Sequence, residues 1–337
     1  MGIFSRKMET VDQAVERLFK ENRVGEIENE LRKYSPDKLR GKEKETWHLY
    51  WGISAFQRGD RQEAFRRFEK GHEECPDSHQ IAFSLGQEYE AKADPEKMVA
   101  LFKTCSFPNI SAQHLLAASR YCYLWDLPDD GMRFLDPIRG AYFQIGIADD
   151  HFVYVRGLPF FGQTWSYILC FCILKDDFTA IDDFTSRARE KLSDYDFDHL
   201  TPTLRCYKAH SFQEKIDELE RHLQNADQRF PQGYQRTQLA CLRASSLDDS
   251  SKAEECLNTV TLTEKDFKWL ADVILIHRAR LAEKKGDSER ASVLVGEFMS
   301  KQPLLFEPDH AVNFGFLDYQ EALKKKYREL KKAQQGH

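Results

Sequence analysis

Glycine and proline are scarce, at 17 and 11 of 337 residues, below the roughly 7% and 5% usual in globular chains. An all-β fold needs such residues at its many turns, so their shortage favours helices. No two cysteines are spaced C-x-x-C; the eight lie scattered at 75, 105, 122, 170, 172, 206, 241 and 256. Neither a disulfide framework nor a zinc site is therefore expected, and reduced, mostly buried thiols are. The longest strongly apolar run, from Trp165 to Leu174, is closed by Lys175 and Asp176, whereas a helix needs roughly 20 residues to cross a bilayer. The polar stretch from Met8 to Gln13 stands where a signal peptide would carry its apolar core. Met1-Gly2 without Ser or Thr at residue six departs from the myristoylation motif. A cytoplasmic protein without a membrane span is expected.

Excess charge of one sign is missing too. Lys plus Arg number 49 against 55 Asp plus Glu, a net charge of -6, which gives no global reason to bind nucleic acid. Hydrophobic residues make up 41%, enough for a sizeable core and too many for a disordered chain.

What is present is a repeat. Trp51-Gly52 opens an apolar helix that stops at Gly59-Asp60, after which a second helix carries Ala64 and Phe68 and ends near Pro76. Leu85-Gly86, Tyr89, Asp94, Met98 and Phe102 repeat the pattern, with Gly52 and Gly86, Asp60 and Asp94, and Phe68 and Phe102 each 34 residues apart. Gly59 suits a helix C-terminus because glycine takes the left-handed conformation at low cost, and Asp60 can cap the helix that follows. Gly52 and Gly86 allow the two helices of a hairpin to approach closely, with Ala64 or Met98 across from them.

These residues resemble the tetratricopeptide repeat, a 34-residue helix-turn-helix with aromatic, Gly, Ala, aromatic and Pro at fixed positions. A further copy near the C-terminus has Ala279, Ala282, Gly286-Asp287, Ala291 and Pro303 at matching offsets, while Ala55 and Met98 depart from the pattern. The resemblance implies an all-α superhelical array of hairpins, an α-solenoid. The expected organisation is a frayed terminus over 1–9 and hairpins over 10–136, clearest at 45–78 and 79–112. An irregular aromatic insertion over 137–162, further hairpins over 163–303, and a capping helix with a basic tail over 304–337 follow.

The insertion is inferred from spacing. Asp94 and Asp176 are 82 residues apart, and two repeats of 34 leave about 14 over. Its prolines, glycines and aromatics fit either a packed hinge or part of a binding site. Residues 321–337 carry six basic and two acidic side chains, read as a solvated final helix, with contact to an acidic surface as the alternative.

Catalytic signatures are absent: no G-x-S-x-G, no phosphate loop, no G-x-G-x-x-G and no H-E-x-x-H. Asp194, Asp196 and Asp198 imitate the start of a calcium loop, but His199 stands where glycine is required. Cys170 and Cys172 diverge by about 200° on a helix and read as core. Asp149, Asp150 and His151 could serve a metal or a base, though a surface loop accounts for them as well. No enzyme, cofactor or metal is expected.

Arrays of this kind line their concave side with the first helix of each hairpin. The stripe Leu49, Ile53, Phe56 recurs as Phe83, Gln87, Glu90, then as Ala117 and Tyr121 beside Trp125, then at Trp165. The expected function is a scaffold or adaptor that binds a peptide or partner helix there, the partner being a protein of unknown identity. The stripe lacks the Lys, Asn and Arg with which related repeats clamp the carboxylate tails of heat-shock chaperones, so that ligand is not expected. The alternative is a ligand-responsive regulator or helical-array enzyme using 137–162 as its pocket. Homo-oligomerisation through an apolar face is left open.

Overall fold

Helix starts are encoded within their own first turns. Thr10 Oγ1 accepts from Gln13 N at 3.3 Å and Gln13 Oε1 accepts from Thr10 N at 3.1 Å, a reciprocal box that satisfies two otherwise orphaned donors. Asp60 accepts from Glu63 N at 3.0 Å, Asp94 from Lys97 N at 3.1 Å and Asp287 from Arg290 N at 3.0 Å. The preceding residues take positive φ: Gly59 +83°, Gly286 +77° and, without glycine's freedom, Ala93 +52°.

The computed structural model describes residues 9–106, 109–145, 211–225, 232–301 and 308–333, with Tyr167, Ile168, Cys170–Cys172, Lys175, Asp177, Thr179, Asp182, Ser186, Cys206 and Ala209. Among the described residues every regular element is a helix. The chain divides into two units, Met1–Leu115 and Leu116–His337.

The first unit holds α1 (Val11–Lys20), α2 (Ile27–Leu31), α3 (Gly41–Gln57), α4 (Arg61–Glu74), α5 (His79–Ala91) and α6 (Pro95–Phe102). α3 pairs with α4 and α5 with α6, while α4 packs on α5 and both α1 and α2 pack on α3. Val11, Val15, Leu18, Ile27, Leu31 and Trp47 form one apolar cluster, each buried side chain contributing roughly 1.5–3 kcal/mol. The 34-residue repeat is visible as a shared seat. A Cβ placed on Gly52 would lie 2.4 Å from the Phe68 ring, and one on Gly86 2.4 Å from the Phe102 ring. The side chain that closes on each glycine is thus the later aromatic, nearer than the expected Ala64 or Met98.

The division between units falls inside α7 (Ala112–Leu124). α8 (Pro128–Ile145) follows a tight turn in which Asp126 takes φ +56° and Leu127 N donates to Cys122 O at 2.9 Å. α8 runs through Pro137, so 137–145 is helical rather than irregular. Proline lacks the N–H its turn would use, and buried Phe134, Leu135 and Ile138 hold the helix together around it. Gly131 seats the Phe171 ring as Gly52 seats Phe68. Residues 146–162 lie outside the described residues.

The second unit continues with α9 (Gln213–Asn225), α10 (Gly233–Ser246), α11 (Ser250–Asn258), α12 (Leu270–Lys284) and α13 (Ser288–Lys301). α10 pairs with α11 and α12 with α13, and α10 also packs on α12. Two helices close the chain, α14 (Pro308–Phe314) and α15 (Gln320–Ala333), joined by a short 3-10 turn at Leu317–Tyr319. α15 packs on α13, whereas α14 packs back on α10.

Two cations of the final helix are not solvated, although Lys325 and Lys332 are exposed. Lys324 is 2% exposed and pairs with Asp126, with Glu321 at 2.9 Å and with the Tyr123 ring at 4.9 Å. Arg328 reaches Asp126 Oδ2 at 2.5 Å and donates to Leu124 O at 3.2 Å. Burial opposes the Glu321 charge, but hydrogen bonds from Lys324 and Arg328 prevail and hold its carboxyl at about 2. The acidic surface met by these cations belongs to the chain itself, 198 residues away.

Candidate functional site

The stripe expected to line a groove separates by depth. Its first position is core: Leu49 is 5% exposed and Phe83 4%. Phe83 stacks on Phe102 with centroids 5.2 Å apart and meets His114 edge-on at 4.5 Å. Both side chains are therefore core rather than surface, Phe83 being packed between its own hairpin and the next helix. Glu90 and Trp125 are buried as well. Ile53, Gln87 and Tyr121 are partly exposed. Phe56 is half exposed, with the Arg61 guanidinium 5.4 Å from its ring centroid. Arg61 in turn pairs with buried Glu88 at 3.3 Å. Trp165, Asp149, Asp150, His151 and 194–198 lie outside the described residues. Cys170 and Cys172 are buried, as expected.

An open cleft of about 690 Å³ runs beside the same hairpin, between the start of α3 and the α4–α5 turn. Lys44 Nζ meets Glu74 at 2.6 Å and His48 Nε2 meets it at 3.2 Å, while Ser78 Oγ donates to Glu45 at 2.8 Å. The hydrogen bond from Lys44 holds the Glu74 carboxyl at about 2, too weak a base for proton abstraction at neutral pH. Burial lowers His48 and raises Cys75, so the thiol is not an activated nucleophile. The cleft offers paired charges suited to polar contact. Among the described residues no cluster of His, Cys, Asp and Glu is arranged to hold a metal ion, and no helix is long and apolar enough to cross a membrane.

In the second unit the corresponding face is already covered. Asp249 caps α11 through Ser251 N at 2.9 Å, as Asp60 caps α4, and Ala253 stands where Ala64 does. That register places Gln238, Leu242 and Ser245 at the positions of Leu49, Ile53 and Phe56. Gln238 Nε2 donates to Asn313 O at 3.0 Å and Ser245 Oγ donates to Gly315 O at 2.9 Å. In the next hairpin, counted from Asp287 as from Asp60, Arg280 occupies the Ile53 position and His277 that of Tyr50. His277 Nε2 donates to Phe314 O at 2.9 Å, and burial drives its pKa down to about 3, so the ring is neutral. Arg280 bridges Ser245 Oγ at 2.9 Å and the Asp318 carboxylate.

Sequence reasoning missed Gln238, His277 and Arg280 as contact residues, although the spacing of Asp60 from Asp249 would have located the first. Comparison with protein-family models, with curated proteins and with solved structures finds no match to this chain.

Proposed function

We propose that this chain is an adaptor built from tetratricopeptide-like hairpins, which binds a peptide or a helix of a protein partner on the first-helix face of its N-terminal unit. The observation that carries this reading is the repeated seat, in which Gly52 with Phe68 and Gly86 with Phe102 share one geometry 34 residues apart. Stacked copies of one hairpin present equivalent residues side by side, which is how such arrays build a recognition surface. On that surface Phe56 is a half-exposed aromatic backed by Arg61, the kind of anchor around which binding energy concentrates. Ile53 and Gln87 flank the expected path of the ligand.

The test compares capture by the wild-type chain with capture by Phe56→Glu, after circular dichroism shows equal helicity. A partner captured by wild type and lost by the variant supports the reading. Equal capture by both sinks it, because a charge at a central anchor costs about 2 kcal/mol or more.

A further inference from the structure

The segment Asn313–Asp318 is held in the manner of a bound peptide. Three successive main-chain carbonyls, those of Asn313, Phe314 and Gly315, each accept a hydrogen bond from a side chain, contributed by Gln238, His277 and Ser245. Phe314 and Phe316 are fully buried, and Asp318 pairs with Arg280. Gly315 takes φ +76°, and a Cβ there would lie 2.8 Å from Leu242. Main-chain capture gives affinity and two aromatic pockets give selectivity, which is the division of labour in peptide recognition.

Capping does not explain this placement. A terminal cap lies on the last hairpin, and α15 does so by packing on α13. The preceding segment lies on α10 and reaches α12, the first helices of the two hairpins. Of the residues that hold it, Leu242 and Arg280 stand at the positions of Ile53 and Ser245 at that of Phe56, while Gln238 and His277 stand at those of Leu49 and Tyr50.

We propose that the first-helix face of the second unit is a peptide-binding site whose occupant is the chain's own Asn313–Asp318 segment. The site accepts from outside a segment of the same chemistry: two aromatic residues separated by glycine, with a carboxylate two residues further on. This rests on reading α10 and α12 as groove helices, and it is independent of whether Phe56 binds anything.

The test uses the full chain and a fluorescent peptide with the sequence of residues 308–320. Two variants weaken the internal occupant. Gly315→Val puts a branched side chain at positive φ against Leu242, and Asp318→Lys sets a second cation against Arg280. Fluorescence anisotropy is expected to show the peptide binding each variant at least ten times more tightly than wild type, whose site is filled. Changing the central glycine of the peptide to valine abolishes the effect, and Phe56→Glu leaves it unchanged. Should Gly315→Val lose its helical signal, Asp318→Lys decides alone, since that side chain is 60% exposed and its replacement buries nothing. Folded variants that bind no more tightly than wild type overturn the proposal, as does wild type binding equally well.

Discussion

Replacing Gly86 by alanine adds one methyl group, and its consequence can be worked out from the seat it would enter. The new Cβ would lie 2.4 Å from Phe102 Cε1 and 2.8 Å from Cδ1, whereas carbon atoms in contact settle at roughly 3.5–4.0 Å. The ring must retreat by about 1 Å. It is fully buried and stacked on Phe83, itself 4% exposed, so the retreat propagates into the core. Overpacking of this kind costs up to about 3 kcal/mol, and alanine's better helix propensity returns about 1. A net loss of about 2 kcal/mol is expected in urea denaturation followed by circular dichroism. Gly296 in α13 is the control: nothing lies within 4 Å of its Cβ position, so Gly296→Ala gains about 0.5–1 kcal/mol. Phe102→Leu makes room, and the double variant Gly86→Ala, Phe102→Leu is expected to be scarcely less stable than Phe102→Leu alone. If Gly86→Ala proves neutral or stabilising like Gly296→Ala, the close seat does not exist and the structural basis of the repeat falls with it.

Two further outcomes concern turns and charges. Ala93 sits at φ +52° where Gly59 and Gly286 serve the equivalent turns, so Ala93→Gly relieves roughly 1 kcal/mol of strain, less the entropy lost by glycine. A few tenths of a kcal/mol remain, so its melting temperature is expected to rise by about 1 °C, and a fall would show that the turn is unstrained. The carboxyls of Glu74 and Glu321 are both held at about 2 in the folded chain. A depressed folded pKa contributes stability above the unfolded value of about 4.3 and loses it as pH falls toward 2. Urea midpoints measured from pH 5 to pH 2.5 should therefore drop, less steeply in Glu321→Gln; equal slopes would refute the assignment.

The legible parts of this chain were the local ones. Gly59-Asp60 and Gly286-Asp287 announce their turns because a left-handed residue followed by a cap needs only neighbours in sequence. The depth of Leu49 and Phe83 was not legible, for the converse reason. Helical spacing puts such residues on a shared face with Ile53 and Phe56, but the cover over Phe83 comes from His114, on a later helix. The contact of Gln238 with Asn313 spans 75 residues, and no periodicity encodes it. Lys324 and Arg328 likewise read as solvated charges, because their partner Asp126 is remote in the chain. The Gly–Phe seats were half visible: the spacing marked the residues as equivalent, while packing decided which side chain met the glycine.

The contact between α15 and Asp126 changes how the second unit folds. In an open row of repeats each hairpin touches only its neighbours, so structure can start anywhere and be lost one hairpin at a time. Here residues 198 positions apart are joined through buried Lys324 and through Arg328, which ties the last helix to the turn after α7. Loop closure over such a separation must precede the reward of the contact, and that slows assembly. In return the ends cannot fray independently, since loosening α15 also strips the C-terminal turn of α7 of its two cations.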